Sequence, residues 1–412
     1  MSQQAEIEAE PAATGTSAGP LAGVGPARMP DMTYTEQESE LRSAVRSVLD
    51  DRAGFNAVLA RTETPQTYDT GLWRTLAAEI GCAGLLIPES FGGAGASFRE
   101  AAVVAEEVGR SVAPVPFLGS AVLATVALLK VAQDGAAGDQ AGQVLTDLAA
   151  GRATAALAVP FAAVPGARIN RTVRVGVAVD GDAEGSYRLS GSVAGVADGL
   201  PSDVLIVPAD GVPFGLFAVR AGDPGLTRIP VVSLDMTRQL CDLRLDGVQA
   251  KRFSAGPLAE EAVAAALQAG AAMLAAEQLG LADRALEITL AYVKQRYQFA
   301  RPVGSFQTIK HRLADWWVAV TQTRAASRYA AACLAEEDPD TPIAVALAKA
   351  ACSDTAVLAA QEMIQLHGGI GFTWEHPAHL FLKRAKSTSI ALGTADRHRA
   401  TLTRFADLPP AD

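Results

Sequence analysis

Cysteine is scarce in this chain: there are four thiols in 412 residues, at positions 82, 241, 333 and 352. No two form a Cys-x-x-Cys pair or a metal-ligand spacing. That argues against a zinc site or a disulfide framework and fits the reduced thiols of a cytoplasmic protein. Positive charge is also short. Lysine and arginine total 35 against 45 acidic residues, a formal net charge of −10. With no basic stripe to offset it, this balance argues against a nucleic-acid or anionic-membrane partner, though a few local cations can still hold a small anion. Aromatic residues make up 6% of the chain, and histidines number five. His311, His367, His376 and His379 have no acidic or cysteine partner at metal spacing, so they read as surface or packing residues and no metal is expected. Uncharged runs are few and broken too. The longest uncharged stretch, Ser111 to Leu129, is interrupted by Pro114, Pro116 and Gly119, which favours a loop and a buried helix over a membrane span. The opening Met-Ser-Gln-Gln-Ala-Glu-Ile-Glu lacks the positive start of a signal peptide.

What is present is apolar and mostly periodic. Hydrophobic residues reach 49%, and the length allows two or three units around a large shared core. Residues 1–31 are rich in Ala, Gly, Pro and Ser and are expected to be a disordered tail. The Gly15-Thr-Ser-Ala-Gly19 run there formally copies a serine-hydrolase elbow, but the strand before it and helix after it that the elbow needs are not expected from this composition, so the match reads as chance. Over 32–152 the pattern is helical: Leu41, Val45, Val48 and Leu49 share a face, and Trp73–Ile80, Glu100–Val112 and Leu118–Val131 follow. Over 153–252 the period changes. Leu189–Val196, Asp203–Val207, Phe214–Val219 and Leu226–Val232 are short, β-branched and bounded by Gly, Pro and Asp, which predicts a small all-β domain. From 253 to 412 the helical period returns. The chain is therefore predicted to be α+β, in helix–sheet–helix order.

The most informative stretch is Tyr292-Val-Lys-Gln-Arg-Tyr-Gln-Phe-Ala-Arg-Pro-Val-Gly-Ser-Phe-Gln-Thr-Ile-Lys-His-Arg-Leu-Ala-Asp315. Leu279, Leu286, Leu290 and Val293 mark a helix before its turn; Ile309, Leu313, Trp316, Trp317 and Val320 mark one after it. An arginine, an amide and an aromatic at 296, 298 and 299 suit a phosphate and a ring. This stretch resembles the Arg-x-x-Phe-Gly-[Lys/Arg]-Pro-[Ile/Val]…Phe-Gln segment of the acyl-CoA dehydrogenase family. Gln365-Leu-His-Gly-Gly-Ile-Gly-Phe-Thr-Trp374 is similar to the family's Gln-x-x-Gly-Gly-x-Gly loop, where glycine permits close backbone approach. Ile87-Pro-Glu-Ser-Phe-Gly-Gly-Ala-Gly95 resembles its Pro-Glu-x-[Tyr/Phe]-Gly-Gly turn. The likeness runs from about Met32 to about Ala406.

The resemblance implies an N-terminal helical domain, a central small β-barrel-like domain and a C-terminal four-helix bundle. It also implies FAD, an acyl-CoA substrate and electron-transfer flavoprotein or a similar acceptor. By the same resemblance, Arg296 meets the pyrophosphate with Gln298 beside it, and Phe299 and Gln307 border the adenosine end. Gln365, Gly368 and Gly369 approach the dinucleotide from a neighbouring subunit, and Thr394 of Leu392-Gly-Thr-Ala395 hydrogen-bonds the cofactor.

The departures fall on the chemistry. The family reaction needs a carboxylate to take the substrate's α-proton. Its commonest position, the glutamate of Tyr-Glu-Gly-Thr, is Leu392 here. A second position, 26 residues before Arg296, is Gly270, leaving Glu260, Glu261 and Glu277 as the nearest acids on that helix. Val159-Pro-Phe-Ala-Ala-Val-Pro-Gly166 and Val196-Ala-Asp-Gly-Leu-Pro-Ser-Asp203 stand where family members carry flavin-contacting loops. Leu234-Asp-Met-Thr-Arg-Gln-Leu240 resembles a segment of the branch that includes bacterial sterol-degrading members, in which two different subunits pair and one lacks the base. The Ala- and Gly-rich run 262–276 fits either a pocket for a bulky acyl group or close helix packing. Three readings stay open: a subunit that borrows its base from a partner, a homo-oligomer with an unrecognised carboxylate, and a different role on the same scaffold, such as a non-catalytic partner or an oxygen-using flavin enzyme.

Overall fold

A computed structural model describes residues 30–133, 138–168, 171–176 and 186–405; most of the expected 1–31 tail lies outside them. Among the described residues the α-helices of the N-terminal part are α1 (Glu36–Arg52), α2 (Phe55–Thr62), α3 (Thr70–Arg74), α4 (Phe98–Ser111), α5 (Thr125–Ala132) and α6 (Gly138–Ala149). Two begin with a reciprocal cap. Thr35 and Glu38 satisfy each other's backbone at the head of α1, as do Ser97 and Glu100 at α4. A π-helical stretch, Phe117–Ala124, runs directly into α5.

The central part is one sheet of β1 (Ala155–Leu157), β2 (Val173–Gly176), β3 (Ser186–Ala197), β4 (Val204–Ala209), β5 (Gly215–Arg220), β6 (Leu226–Val231) and β7 (Leu240–Ala255). Its order is β1-β4-β5-β7-β3-β2, with β6 paired to β7, so the expected barrel-like domain is a sheet that does not close. The four strands foreseen in the sequence are β3 to β6. The longest, β7, was not foreseen. It turns Cys241, Leu243, Leu245, Val248 and Ala250 inward and is antiparallel to β3, β5 and β6. Asp242, Arg244, Asp246 and Gln249 lie between these apolar positions and hide the strand from a search for apolar runs.

The C-terminal part comprises α7 (Pro257–Gln295), a hairpin of β8 (Tyr297–Gln298) and β9 (Arg301–Pro302), α8 (Gln307–Ala335), α9 (Thr341–His367), α10 (Ala378–Ile390) and α11 (Ala395–Thr403). Helix α7 is the axis of the molecule. Residues 269–276 are buried all round, so the small side chains of this run serve close helix packing. Where α4 crosses α7 the backbones nearly touch. A Cβ on Gly109 would lie 2.0 Å from the Glu277 carbonyl oxygen, and one on Gly280 would lie 1.9 Å from that of Glu106, so only glycine fits at either position. The apolar stretches of α7 and of Thr341–Phe372 are long enough to cross a membrane, but 67% of each is buried inside the fold. On α8, Trp316 and Val320 are buried while Trp317 is exposed, which splits the single face expected for them.

A buried polar cluster joins the three parts. Glu277 of α7 accepts from Arg238 at 2.5 Å and from Arg384 of α10 at 2.7 Å. Arg384 also donates to Thr237 at 2.9 Å, and Thr237 donates to Asp235 at 2.5 Å. Nearby, Asp198 accepts from the Tyr68 hydroxyl and the Gly119 amide, each at 2.8 Å. Burial alone would raise the Glu277 carboxyl; the two guanidiniums reverse this and hold it below the usual carboxylate range. Glu277→Gln leaves two buried arginines short of a counter-charge and is expected to lower stability by about 3 kcal/mol or more. Chemical denaturation measures this; a loss under about 1 kcal/mol would show that the cluster does not hold the parts together.

Candidate functional site

Helix α7 ends where Arg296 turns extended, and the chain reverses through a two-residue loop. The loop residues Phe299 and Ala300 both have positive φ, 52° and 60°. A turn of this hand normally takes Asn-Gly, so the backbone is held under strain at this point. Across from it, α9 stops at His367, and Gly368 with φ 61° starts a tight turn.

These two ends wall a groove of about 580 Å³ that brings together Arg296, Gln298, Gln365, Gly368 and Gly369. Arg312 also lines it but is neutralised by Glu362 at 2.7 and 2.8 Å. Arg296 is exposed and makes no ion pair among the described residues. Nothing lies within 4 Å of where a Cβ on Gly368 or Gly369 would stand, so the backbone there is open to a ligand. A free guanidinium, two side-chain amides and bare glycine backbone fit the phosphates and polar edges of a dinucleotide.

The other expected residues sit elsewhere. Phe299 stands 86% exposed at the hairpin tip, with its ring edge-on to Phe306, and Gln307 is the exposed first residue of α8. Thr394 caps α11 and lines a different cleft, shared with Ser353 and Gln361. The histidines pack. His367 donates from Nδ1 to the Met363 carbonyl at 2.7 Å and stacks between Tyr292 and His376. Burial, then the neighbouring His367 and His379, push His376 down to about 4. His311 is exposed.

The two positions left without a carboxylate converge in space. A Cβ on Gly270 would lie 2.4 Å from Cδ2 of Leu123 and 3.0 Å from Cδ1 of Leu392. The point they share is filled by leucine methyl groups, and Leu392 is fully buried. The candidate acids of α7 lie in three different settings. Glu260 pairs with Arg171 at 2.5 Å, Glu261 is exposed, and Glu277 is held between two arginines.

The turn carrying Leu392 is pinned at three points. The Leu392 amide donates to the Phe161 carbonyl and the Leu392 carbonyl accepts from His398, both at 2.8 Å. The Gly393 carbonyl accepts from Lys349 at 3.3 Å. Sequence reasoning missed both Leu123 and Lys349. The signal for Lys349 was its isolation in the apolar run Val345-Ala-Leu-Ala-Lys-Ala-Ala351. Its ammonium also bonds the Ser353 hydroxyl at 2.8 Å and the Thr388 carbonyl at 3.1 Å, and it pairs with no carboxylate among the described residues.

Burial lowers Lys349 to about 7, from an ordinary 10.5. Between those values the unfolded chain binds the proton and the native chain does not, so stability rises with pH across that window. The expected slope from this residue is at most about 1.4 kcal/mol per pH unit, and Lys349→Met should remove it. Denaturant midpoints at several pH values compare the two proteins; identical slopes would show that Lys349 titrates normally.

Comparison with known proteins agrees with this geometry. The acyl-CoA dehydrogenase N-terminal domain family matches residues 35–152, and the C-terminal domain family matches residues 261–406. Acyl-CoA dehydrogenase IpdE2 of Mycobacterium tuberculosis is 36% identical over 87% of this chain and 93% of its own length. A variant of the Tcur3481–Tcur3483 steroid ACAD is 31% identical with a TM-score of 0.76, covering 90% of this chain and 98% of that one. The ChsE4–ChsE5 complex of Mycobacterium tuberculosis contains a chain with a TM-score of 0.79 and 29% identity, covering 92% of this chain and 100% of that one. This chain therefore belongs to the acyl-CoA dehydrogenase family, the FAD-binding oxidoreductases that act on a CH–CH bond of an acyl-CoA.

Proposed function

We propose that this chain is the base-lacking subunit of a hetero-oligomeric acyl-CoA dehydrogenase. It would help to frame an FAD site whose proton-abstracting carboxylate comes from a different family member. The observation that carries this reading is the convergence of Gly270, Leu392 and Leu123. At the point where two alternative base positions meet, the three nearest atoms are leucine carbons, and none can accept a proton. A carboxylate placed there by this chain's own side chains would also be buried without a partner.

When bound, FAD supplies the acceptor for the hydride that leaves the acyl chain. The groove residues bind and orient. Arg296 offers two parallel N–H donors to phosphate oxygens, while the Gln298 and Gln365 amides can reach sugar or base edges. The uncovered backbone of Gly368 and Gly369 permits close approach. In this reading these residues serve one dinucleotide, bound mainly by the neighbouring subunit. The substrate is a bulky or branched acyl-CoA, a class supported by the likeness to the steroid ACAD. The assembly works in the cytoplasm, with electron-transfer flavoprotein or a similar acceptor reoxidising the flavin.

Purified alone, the chain is expected to show no acyl-CoA-dependent dye reduction. Activity is expected on co-expression with a family member that bears an acid at the position of Leu392 or Gly270. Native mass spectrometry then reports the subunit ratio and the FAD count. Turnover by the lone chain with one FAD per chain would overturn the proposal in favour of a self-complete enzyme. An assembly that binds flavin but is reduced by no acyl-CoA would favour a non-catalytic or oxygen-using role.

Within the assembly, Arg296→Ala removes the free cation of the groove and should weaken FAD binding by about 1.5–3 kcal/mol, roughly tenfold or more. Flavin absorbance after extensive dialysis reads this out without any activity assay; unchanged flavin content would remove Arg296 from the site.

A further inference from the structure

A second cleft, of about 450 Å³, lies where α1, α4, α7 and α8 meet, lined by residues that take no part in the site described above. Four arginines line it: Arg42, Arg110, Arg324 and Arg328. Three of them are paired. Arg42 meets Glu106 at 2.7 Å and Glu107 at 2.9 Å. Arg110 meets Asp283 at 2.8 Å and Glu287 at 2.6 Å, and Arg324 shares Asp283 at 2.7 Å. The same carboxylates also serve Arg46 and Arg284.

Arg328 is different. It forms no ion pair among the described residues; Nη1 donates to the Met32 carbonyl at 3.0 Å, and its guanidinium lies 3.3 Å from the Tyr34 ring centroid. Arg42 sits 4.4 Å from the same ring. Tyr34 neutralises neither. Its hydroxyl donates to Glu106 at 2.9 Å, and burial together with that carboxylate pushes the phenol far above its ordinary value, so it stays uncharged.

The three paired arginines share Glu106, Glu107, Asp283 and Glu287, two of which also serve the more exposed Arg46 and Arg284. Of the four guanidiniums that line the cleft, Arg328 is the one with no carboxylate at ion-pair distance among the described residues. Arg328 is half-buried beside two other arginines. Such an arrangement repels itself unless an anion completes it.

We propose that this cleft binds the phosphate group of a small molecule. A phosphate monoester brings negative charge and three acceptor oxygens at neutral pH, which the unpaired Arg328 and its neighbouring arginines can meet. Guanidinium forks suit phosphate oxygens, and the cleft has room for more than one phosphate.

The test is calorimetric titration of the full chain at physiological ionic strength with inorganic phosphate, inorganic pyrophosphate and adenosine 3′,5′-bisphosphate. One site per chain is expected, and the preferred ligand of the three tells a free oxyanion from a nucleotide phosphate. Arg328→Gln should weaken binding roughly tenfold or more, while Arg296→Ala in the distant groove should leave it intact. If Arg328→Gln does not fold, Arg328→Lys keeps the charge but not the fork and should still weaken binding measurably. Three outcomes would overturn the proposal. One is no heat with any of the three ligands. Another is binding matched by sodium sulfate at equal ionic strength and unmoved by the Arg328 variants. The last is binding lost in Arg296→Ala and kept in Arg328→Gln, which would assign the heat to the other groove.

Discussion

The arrangement of this molecule depends on one buried carboxylate, Glu277, gripped by Arg238 and Arg384. All three side chains are at most 4% exposed, so none can recover its lost hydration from solvent if a partner moves away. Each comes from a different element: the segment before β7, the middle of α7, and α10. Satisfying the three charges together therefore fixes how the sheet sits on the bundle. The neighbouring Asp198 extends the constraint to the N-terminal part through Tyr68 and the Gly119 amide. Gly109 and Gly280 complete it by letting α4 and α7 meet backbone to backbone.

With α7 held in that position, Gly270 is aimed at Leu123 of the π-helical stretch and at Leu392 of the turn before α11. The turn cannot swing away, because Phe161, His398 and Lys349 each hold one of its backbone atoms. The apolar character of this point thus follows from a rigid frame rather than from a loose loop that a ligand could reorganise. The groove of Arg296 and the two glycines has the opposite character: it is exposed, polar, and built from the ends of two long helices. One region of the chain is closed and inert while the other stands open, which is the physical basis for reading it as half of a shared site.

Much of the architecture was legible beforehand. The helical period, the change of period near residue 153 and the four β-branched runs foretold the helix–sheet–helix order. Each depends on the local alternation of apolar and polar residues, and that alternation is written along the chain. Strand β7 escaped because polar side chains occupy its outward positions and the inward alternation of Cys241, Leu243 and Leu245 slips by one residue at Gly247 before Val248 and Ala250. Trp317 was assigned to the buried face and lies outside it, one residue from the buried Trp316, because adjacent positions on a helix point about 100° apart.

The sequence by itself determined the fold class, the family and the absence of a carboxylate at positions 270 and 392. It also determined the short motifs, Arg-x-Gln at 296–298 and Gly-Gly at 368–369, that meet in the groove. These are matters of residue type and short spacing. Only the tertiary structure decided that Gly270 and Leu392, more than a hundred residues apart, meet beside Leu123, and that Glu277 is gripped by two buried arginines. The same holds for Lys349, buried beneath a turn that precedes α11, and for Arg328, left without an ion pair among the described residues. Periodicity reports which side of an element is apolar. What that side meets is set by packing among distant elements, where steric fit and the pairing of buried charges choose the partners.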